Sequence, residues 1–258
     1  LPGVLQICRH LFMIRFQFPF FIRLSQQLHC QCFFTQKSIL ITLLFDCTLM
    51  VKIPPHCFFR ILDCTIFSRN IDLSTENSTI KDPEEAVRWY FDHLRAIERE
   101  CYQDSFLSEE ALAMKLLDQA DTEVKLKADH EQLHTYLKNF WMYAPLFSDV
   151  RNFFSQVHLP IYILMDNAAD YAKVCLRRNG LHANGIISGE DVKAYKPRKE
   201  IFLKALASAG CSPEEVVHVG DDLEGDVEGA KNVGITPILL DRRSEHGDVD
   251  CKQVRSLN

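Results

Sequence analysis

From Pro145 onward the sequence alternates short apolar runs with amphipathic stretches, and this alternation constrains the fold more than any other feature of the chain. Pro160-Ile-Tyr-Ile-Leu-Met165, Gly185-Ile-Ile-Ser188, Glu215-Val-Val-His-Val219 and Thr236–Leu240 predict buried strands. Phe147–Val157, Ala168–Asn179, Arg198–Ala209 and a stretch around Asp226–Asn232 predict helices between them. Gly180 and Gly210 stand where two of those helices should stop, because glycine readily takes the left-handed conformation that ends a helix. Strands separated by helices of this length must run parallel, with helices covering the sheet.

The preceding segment has a different texture. Asp82-Pro83-Glu84-Glu85 supplies a cap, a proline at the first helical position and acidic residues in the first turn. Val87, Tyr90, Phe91, Leu94, Ile97 and Cys101 then recur at three- and four-residue spacing, one apolar helix face. A second helix opens at Ser108-Glu-Glu110 and carries Leu112, Leu116 and Leu117; a third spans Asp129–Phe140. Residues 81–145 therefore predict a small helical bundle inserted ahead of an α/β core at 146–258.

The beginning of the chain reads differently again. Six of the ten Cys and eleven of the eighteen Phe fall before residue 70, and the first 80 residues hold 7 Lys+Arg against 4 Asp+Glu. The remaining 178 hold 22 against 31. Residues 1–37 read as an atypical extension and 38–80 as a first core-strand region. Two apolar runs there end in aspartate: Ser38–Phe45 before Asp46-Cys-Thr-Leu49, and His56–Leu62 before Asp63-Cys-Thr-Ile66. An Asp just past the carboxyl end of a buried strand lies where open α/β sheets place their chemistry.

Val4–Leu24 is broken by Arg9, His10, Arg15, Gln17, Pro19 and Arg23, so it does not read as a membrane span or a secretory signal. The early cysteines follow no disulfide or zinc spacing, and the rest of the chain reads as a cytoplasmic enzyme. With 258 residues, 47% hydrophobic and a net charge of −6, the chain excludes a collagen-like, wholly disordered or nucleic-acid-coating protein.

Three groups converge on the expected carboxyl edge of the sheet. The strongest is Val217-His-Val-Gly220-Asp221-Asp222-Leu-Glu-Gly-Asp226, followed by Gly229 and Gly234. A strand, a tight glycine turn and projecting carboxylates supply hard oxygen ligands of the kind that hold Mg²⁺ beside a phosphate. Ala194-Tyr195-Lys196-Pro197 puts a cation just ahead of a helix start, 25 residues before Asp221. Asp166-Asn167 ends the strand Ile161–Met165, where it could also cap the following helix.

The order and spacing of these groups resemble the haloacid dehalogenase-like hydrolase superfamily, in the subclass with a helical cap inserted after its first motif. The run Gly185-Ile-Ile-Ser-Gly-Glu-Asp-Val-Lys-Ala-Tyr-Lys-Pro197 and the later Gly220-Asp-Asp222 carry the resemblance, which is specific over residues 145–241. It implies an α/β fold with a Rossmann-like parallel sheet and a helical cap, Mg²⁺ as cofactor, and hydrolysis of a small phosphorylated metabolite through an aspartyl-phosphate. No basic stripe or aromatic-basic patch argues for nucleic acid as a structural partner, and no membrane partner is expected.

By the same resemblance, Lys196 would steady the phosphate and Asp221 would be the principal metal ligand. Asp222 and Asp226 would be further ligands or orienting groups, and Asn167 would follow the second motif. The nucleophile, itself a metal ligand, would be Asp46 or Asp63. Asp46 has the better preceding strand, while Asp63 lies 103 rather than 120 residues before Asp166. Two positions depart from the family pattern. Thr48 or Thr65 stands where the family's first motif has a second aspartate, and Asp166 stands where its second motif has a hydroxyl residue. A carboxylate about 4 Å from a phosphate charge would repel it by roughly 4 kcal/mol at an effective dielectric of 20. The departures leave a second reading in place, a HAD-fold protein that binds a ligand or partner without catalysis.

Overall fold

The computed structural model describes residues 78–80, 83–143 and 145–258. The predicted strands at Ser38–Phe45 and His56–Leu62, with Asp46 and Asp63, lie outside the described residues.

Three helices come first: α1 (Pro83–Glu100), α2 (Glu109–Glu123) and α3 (His130–Tyr143). α2 starts where Ser108 accepts a hydrogen bond from the Ala111 amide, and α3 where Asp129 Oδ1 accepts from the Gln132 amide at 2.8 Å. Ile97, Cys101, Leu112 and Leu116 from α1 and α2 make one buried cluster, which also takes in Tyr195. α3 runs to Tyr143, past the expected Phe140, and buries Leu137 and Trp141 in the main core.

The α/β part follows as α4 (Val150–Gln156), β1 (Tyr162–Met165), α5 (Ala169–Asn179), β2 (Gly185–Ser188), α6 (Lys199–Ala209), β3 (Val217–Gly220), β4 (Thr236–Leu240) and β5 (Lys252–Val254). Among the described residues β1 pairs with β2 in a two-stranded sheet, and β4 lies between β3 and β5 in a three-stranded one, with every pair parallel. The alternation therefore translates into the expected parallel, Rossmann-like architecture. Gly180 at φ 64° and Gly210 at φ 65° end α5 and α6, as the sequence predicts.

Further boundaries also differ from expectation. α4 starts at Val150 rather than Phe147, because the Asp149 carboxylate is drawn away to Arg242 Nη1 (2.7 Å) and the Leu257 amide (2.8 Å). β3 starts at Val217 rather than Glu215, because Ser212 and Glu215 close a turn over Pro213–Glu215. The turn after β3 is a π-helical one, Leu223–Glu228, running into a short helix at Gly229–Lys231.

Strand alternation divides the core between two faces. Ile163, Met165, Val219, Ile238 and Leu240 face α3, α4 and α5 through Leu137, Trp141, Phe153, Tyr171 and Cys175. Leu164, Ile187 and Ile235 face Ile201, Phe202 and Ala205 of α6. Fully burying a side chain such as Phe202 contributes about 1.5–3 kcal/mol, so these two layers fix the sheet and the loops at its end. Polar contacts tie the α1–α3 layer to the core, among them Tyr195 Oη to the Leu107 carbonyl at 2.8 Å. Glu109 of α2 accepts from Tyr171 Oη (2.5 Å) of α5 and from His134 Nε2 (3.1 Å) of α3. Among the described residues no helix is long and apolar enough to cross a membrane.

Candidate active site

β1 ends at Met165 and delivers Asp166; β3 ends at Gly220 and delivers Asp221 and Asp222. Lys196, just ahead of α6, links these two strand ends. Its ammonium lies 3.4 Å from Asp166 Oδ2 and 3.1 Å from Asp226 Oδ1, and its backbone N–H donates to Asp166 Oδ1 at 2.9 Å. Residues far apart in sequence, on three separate turns, thus form one charged cluster at the carboxyl ends of β1 and β3.

Asp226 is the inner member and is fully buried. Its Oδ1 accepts from Lys196 Nζ and from His218 Nε2 at 3.1 Å, and its Oδ2 accepts from the Asp222 amide at 3.0 Å. Burial alone would raise its pKa, but the Lys196 charge, the His218 hydrogen bond and the Asp222 amide outweigh it and pull Asp226 down to about 2. The approach of Asp226 to the strand end explains Gly220, where a Cβ would collide with the Asp226 side chain. Gly229 likewise leaves room for the Phe202 ring, which a Cβ would meet at 2.7 Å.

Asp166 is the outer member. Burial pushes its pKa up, while the Lys196 charge and amide oppose that rise. Asn167 follows it, half-buried, ahead of α5. Asp222 serves the loop itself: Oδ1 accepts from the Gly225 amide at 2.6 Å, which caps the π-helical turn. Its Oδ2 meets Arg95 Nη2 of α1 at 3.2 Å, and one turn later Arg99 Nε meets Glu224 Oε1 at 3.3 Å. The helical layer therefore reaches the rim of the cluster through two arginines.

Of the residues predicted from sequence, Asp166, Lys196, Asp222 and Asp226 are brought into one connected network, with Asp221 and Asn167 adjoining it. His218, Arg95 and Arg99 were not predicted. His218 had a readable signal, a polar residue inside the apolar run Val216–Val219. A buried polar side chain needs a partner, and here it has the Asp226 carboxylate. Burial lowers the His218 pKa, against the pull of Asp226, so the imidazole is neutral and donates. Arg95 and Arg99 are solvent-facing helix residues with no motif around them.

This constellation can hold an anion or a hard cation. Asp221, half-buried at the end of β3, offers carboxylate oxygens of the kind Mg²⁺ takes, usually from one or two carboxylates with waters and substrate phosphate completing the shell. Among the described residues no group of three or more His, Cys, Asp or Glu is arranged to enclose a metal.

Residues 69–234, about two thirds of the chain, match the model of the haloacid dehalogenase-like hydrolase family. The chain belongs to that family. The mouse haloacid dehalogenase-like hydrolase domain-containing protein 2 is 51% identical over 53 residues, 19% of this chain and 20% of that protein. Glyceraldehyde 3-phosphate phosphatase of Methanopyrus kandleri is 34% identical over 77 residues, 29% of this chain and 33% of that protein. The matches thus span about a fifth to a third of those curated relatives. Among solved structures, the magnesium-bound putative HAD-hydrolase YfnB of Bacillus subtilis aligns at a TM-score of 0.67. It is 18% identical, covering 86% of this chain and 96% of that one. At that identity the likeness shows the fold alone, and it is the fold of a haloacid dehalogenase-like hydrolase.

Proposed function

We propose that this hydrolase is a Mg²⁺-dependent phosphatase of a small phosphorylated metabolite, with its site at the carboxyl edge of the sheet and α1–α3 as its cap. The observation that carries the reading is Lys196, whose buried ammonium joins the turn after β1 to the turn after β3. A fixed cation there can stabilise the charge that builds on a phosphoryl group in the transition state. The phosphatase relative from Methanopyrus kandleri supports the choice of substrate class.

In this reading Asp46 or Asp63 attacks phosphorus, the bond to the leaving oxygen breaks as that oxygen takes a proton from water, and an aspartyl-phosphate forms. Water then attacks phosphorus, freeing phosphate and restoring the carboxylate. Lys196 holds phosphoryl oxygens through both steps. Asp226, braced by His218, holds Lys196 in place, and in this reading it orients the lysine rather than ligating the metal directly. Asp222 keeps the loop in shape, leaving Asp221 and the nucleophile as the carboxylates that would hold the metal. Mg²⁺ bound there would neutralise phosphate charge and so favour attack by an anionic nucleophile.

A single assay tests this. The full chain should release phosphate from members of a broad phosphate-ester panel when magnesium chloride is present, and lose that activity with excess EDTA. Release unaffected by EDTA would remove the metal, and no release from any ester would remove the phosphatase. The position of Asp166 on Lys196 favours one second reading, a HAD-fold binding module with little catalysis.

A further inference from the structure

We propose that Asp166 is a built-in competitor for the Lys196 ammonium and sets how strongly this site takes a phosphate group. The inference rests on the reading of the sheet edge as a phosphate site. Among the described residues, two carboxylates flank the Lys196 ammonium. Asp226 lies on the inner side with no exposure, the Lys196 side chain itself is 2% exposed, and Asp166 is 10% exposed. Of these two carboxylates Asp166 is the nearer to solvent, so a phosphoryl oxygen that approaches Nζ on its side competes with Asp166 Oδ2.

Displacing Asp166 Oδ2 is feasible but resisted. At 3.4 Å, Oδ2 is the more distant of the two carboxylate contacts to Nζ, against 3.1 Å for Asp226. Oδ1 is anchored by the Lys196 amide at 2.9 Å, so the carboxylate stays close after giving up the ammonium. One buried ammonium then faces two carboxylates and an incoming anion, and like charges held close in a partly desolvated site oppose binding strongly. Asparagine at 166 keeps the size of the side chain and an acceptor for the amide while removing the charge. Serine removes the charge and the reach.

The test is a calorimetric titration of inorganic phosphate into the full chain in magnesium chloride buffer. Wild type would be compared with Asp166→Asn, Asp166→Ser and the double variant Asp166→Asn/Lys196→Gln, each checked for wild-type circular dichroism. Both single variants should bind phosphate about tenfold or more tighter than wild type, and the double variant should lose the gain. A folded single variant that binds no tighter, or a gain that survives loss of Lys196, would overturn the proposal. The phosphate-ester panel run on the same proteins separates this inference from the phosphatase reading. Tighter phosphate binding with no turnover in any protein would sink the phosphatase reading alone. Wild-type turnover with unchanged phosphate affinity in the variants would sink the competitor alone.

Discussion

The turn after β1 and the turn after β3 each bring an aspartate to the same lysine, yet the two aspartates are built in opposite ways. Asp226 is enclosed, its pKa held at about 2, with an ammonium, an imidazole and an amide on its two oxygens. Asp166 is nearer solvent, its pKa raised by burial, with Lys196 its partner through both side chain and backbone. The contrast separates a carboxylate that the fold depends on from one that the fold tolerates. Asp226 positions Lys196; Asp166 occupies it.

The comparison breaks hardest at Asp226. Asp226→Ala removes the inner partner of Lys196 and the acceptor at His218 Nε2. Denaturant unfolding should show a loss of about 3–5 kcal/mol, the usual cost of removing one member of a buried pair. Gly220→Ala attacks the same carboxylate by collision, and the expected loss is about 1–3 kcal/mol in the same measurement. At the other turn, Asp166→Asn keeps the acceptor for the Lys196 amide, and stability should change by about 1 kcal/mol or less. If Asp166→Asn proved as damaging as Asp226→Ala, the two turns would not differ in the way described.

Acid separates the same groups. His218 and Asp226 both have lowered pKa values in the fold, so each contributes stability that is present above its unfolded value and lost as pH falls. For His218 that loss begins below about 6.5, its ordinary value; for Asp226 it falls between about 4 and 2. Asp166 has a raised pKa and acts in the opposite sense, its contribution declining as pH rises. Melting temperature should therefore drop through the acid range. Replacing His218 with Gln should flatten the part of that drop that begins near pH 6.5.

Much of this architecture is written locally in the sequence. β1, β2 and β4 announce themselves as apolar runs, and α5 and α6 end at the glycines that the sequence sets there. β5 was missed, because Lys252-Gln-Val254 has one apolar residue and joins the sheet only by pairing with β4. In the site, Lys196 and the acidic loop were legible from spacing alone. What the spacing cannot express is which oxygen meets which donor. That Asp226 turns inward onto His218 depends on the absent Cβ of Gly220, and the Arg95–Asp222 contact depends on how α1 packs, 127 residues away. The Asp149–Arg242 pair that shortens α4 is of the same kind, a contact across 93 residues with no local trace.

The claim that this sheet edge is a hydrolytic site meets its most direct test in phosphate release by the full chain and by Asp221→Asn, measured side by side on the same ester panel with magnesium chloride. Asparagine keeps the size of the half-buried Asp221 side chain, so the variant, checked for wild-type circular dichroism, should lose kcat/KM by about 10²-fold or more. Equal turnover by wild type and folded Asp221→Asn would contradict the account.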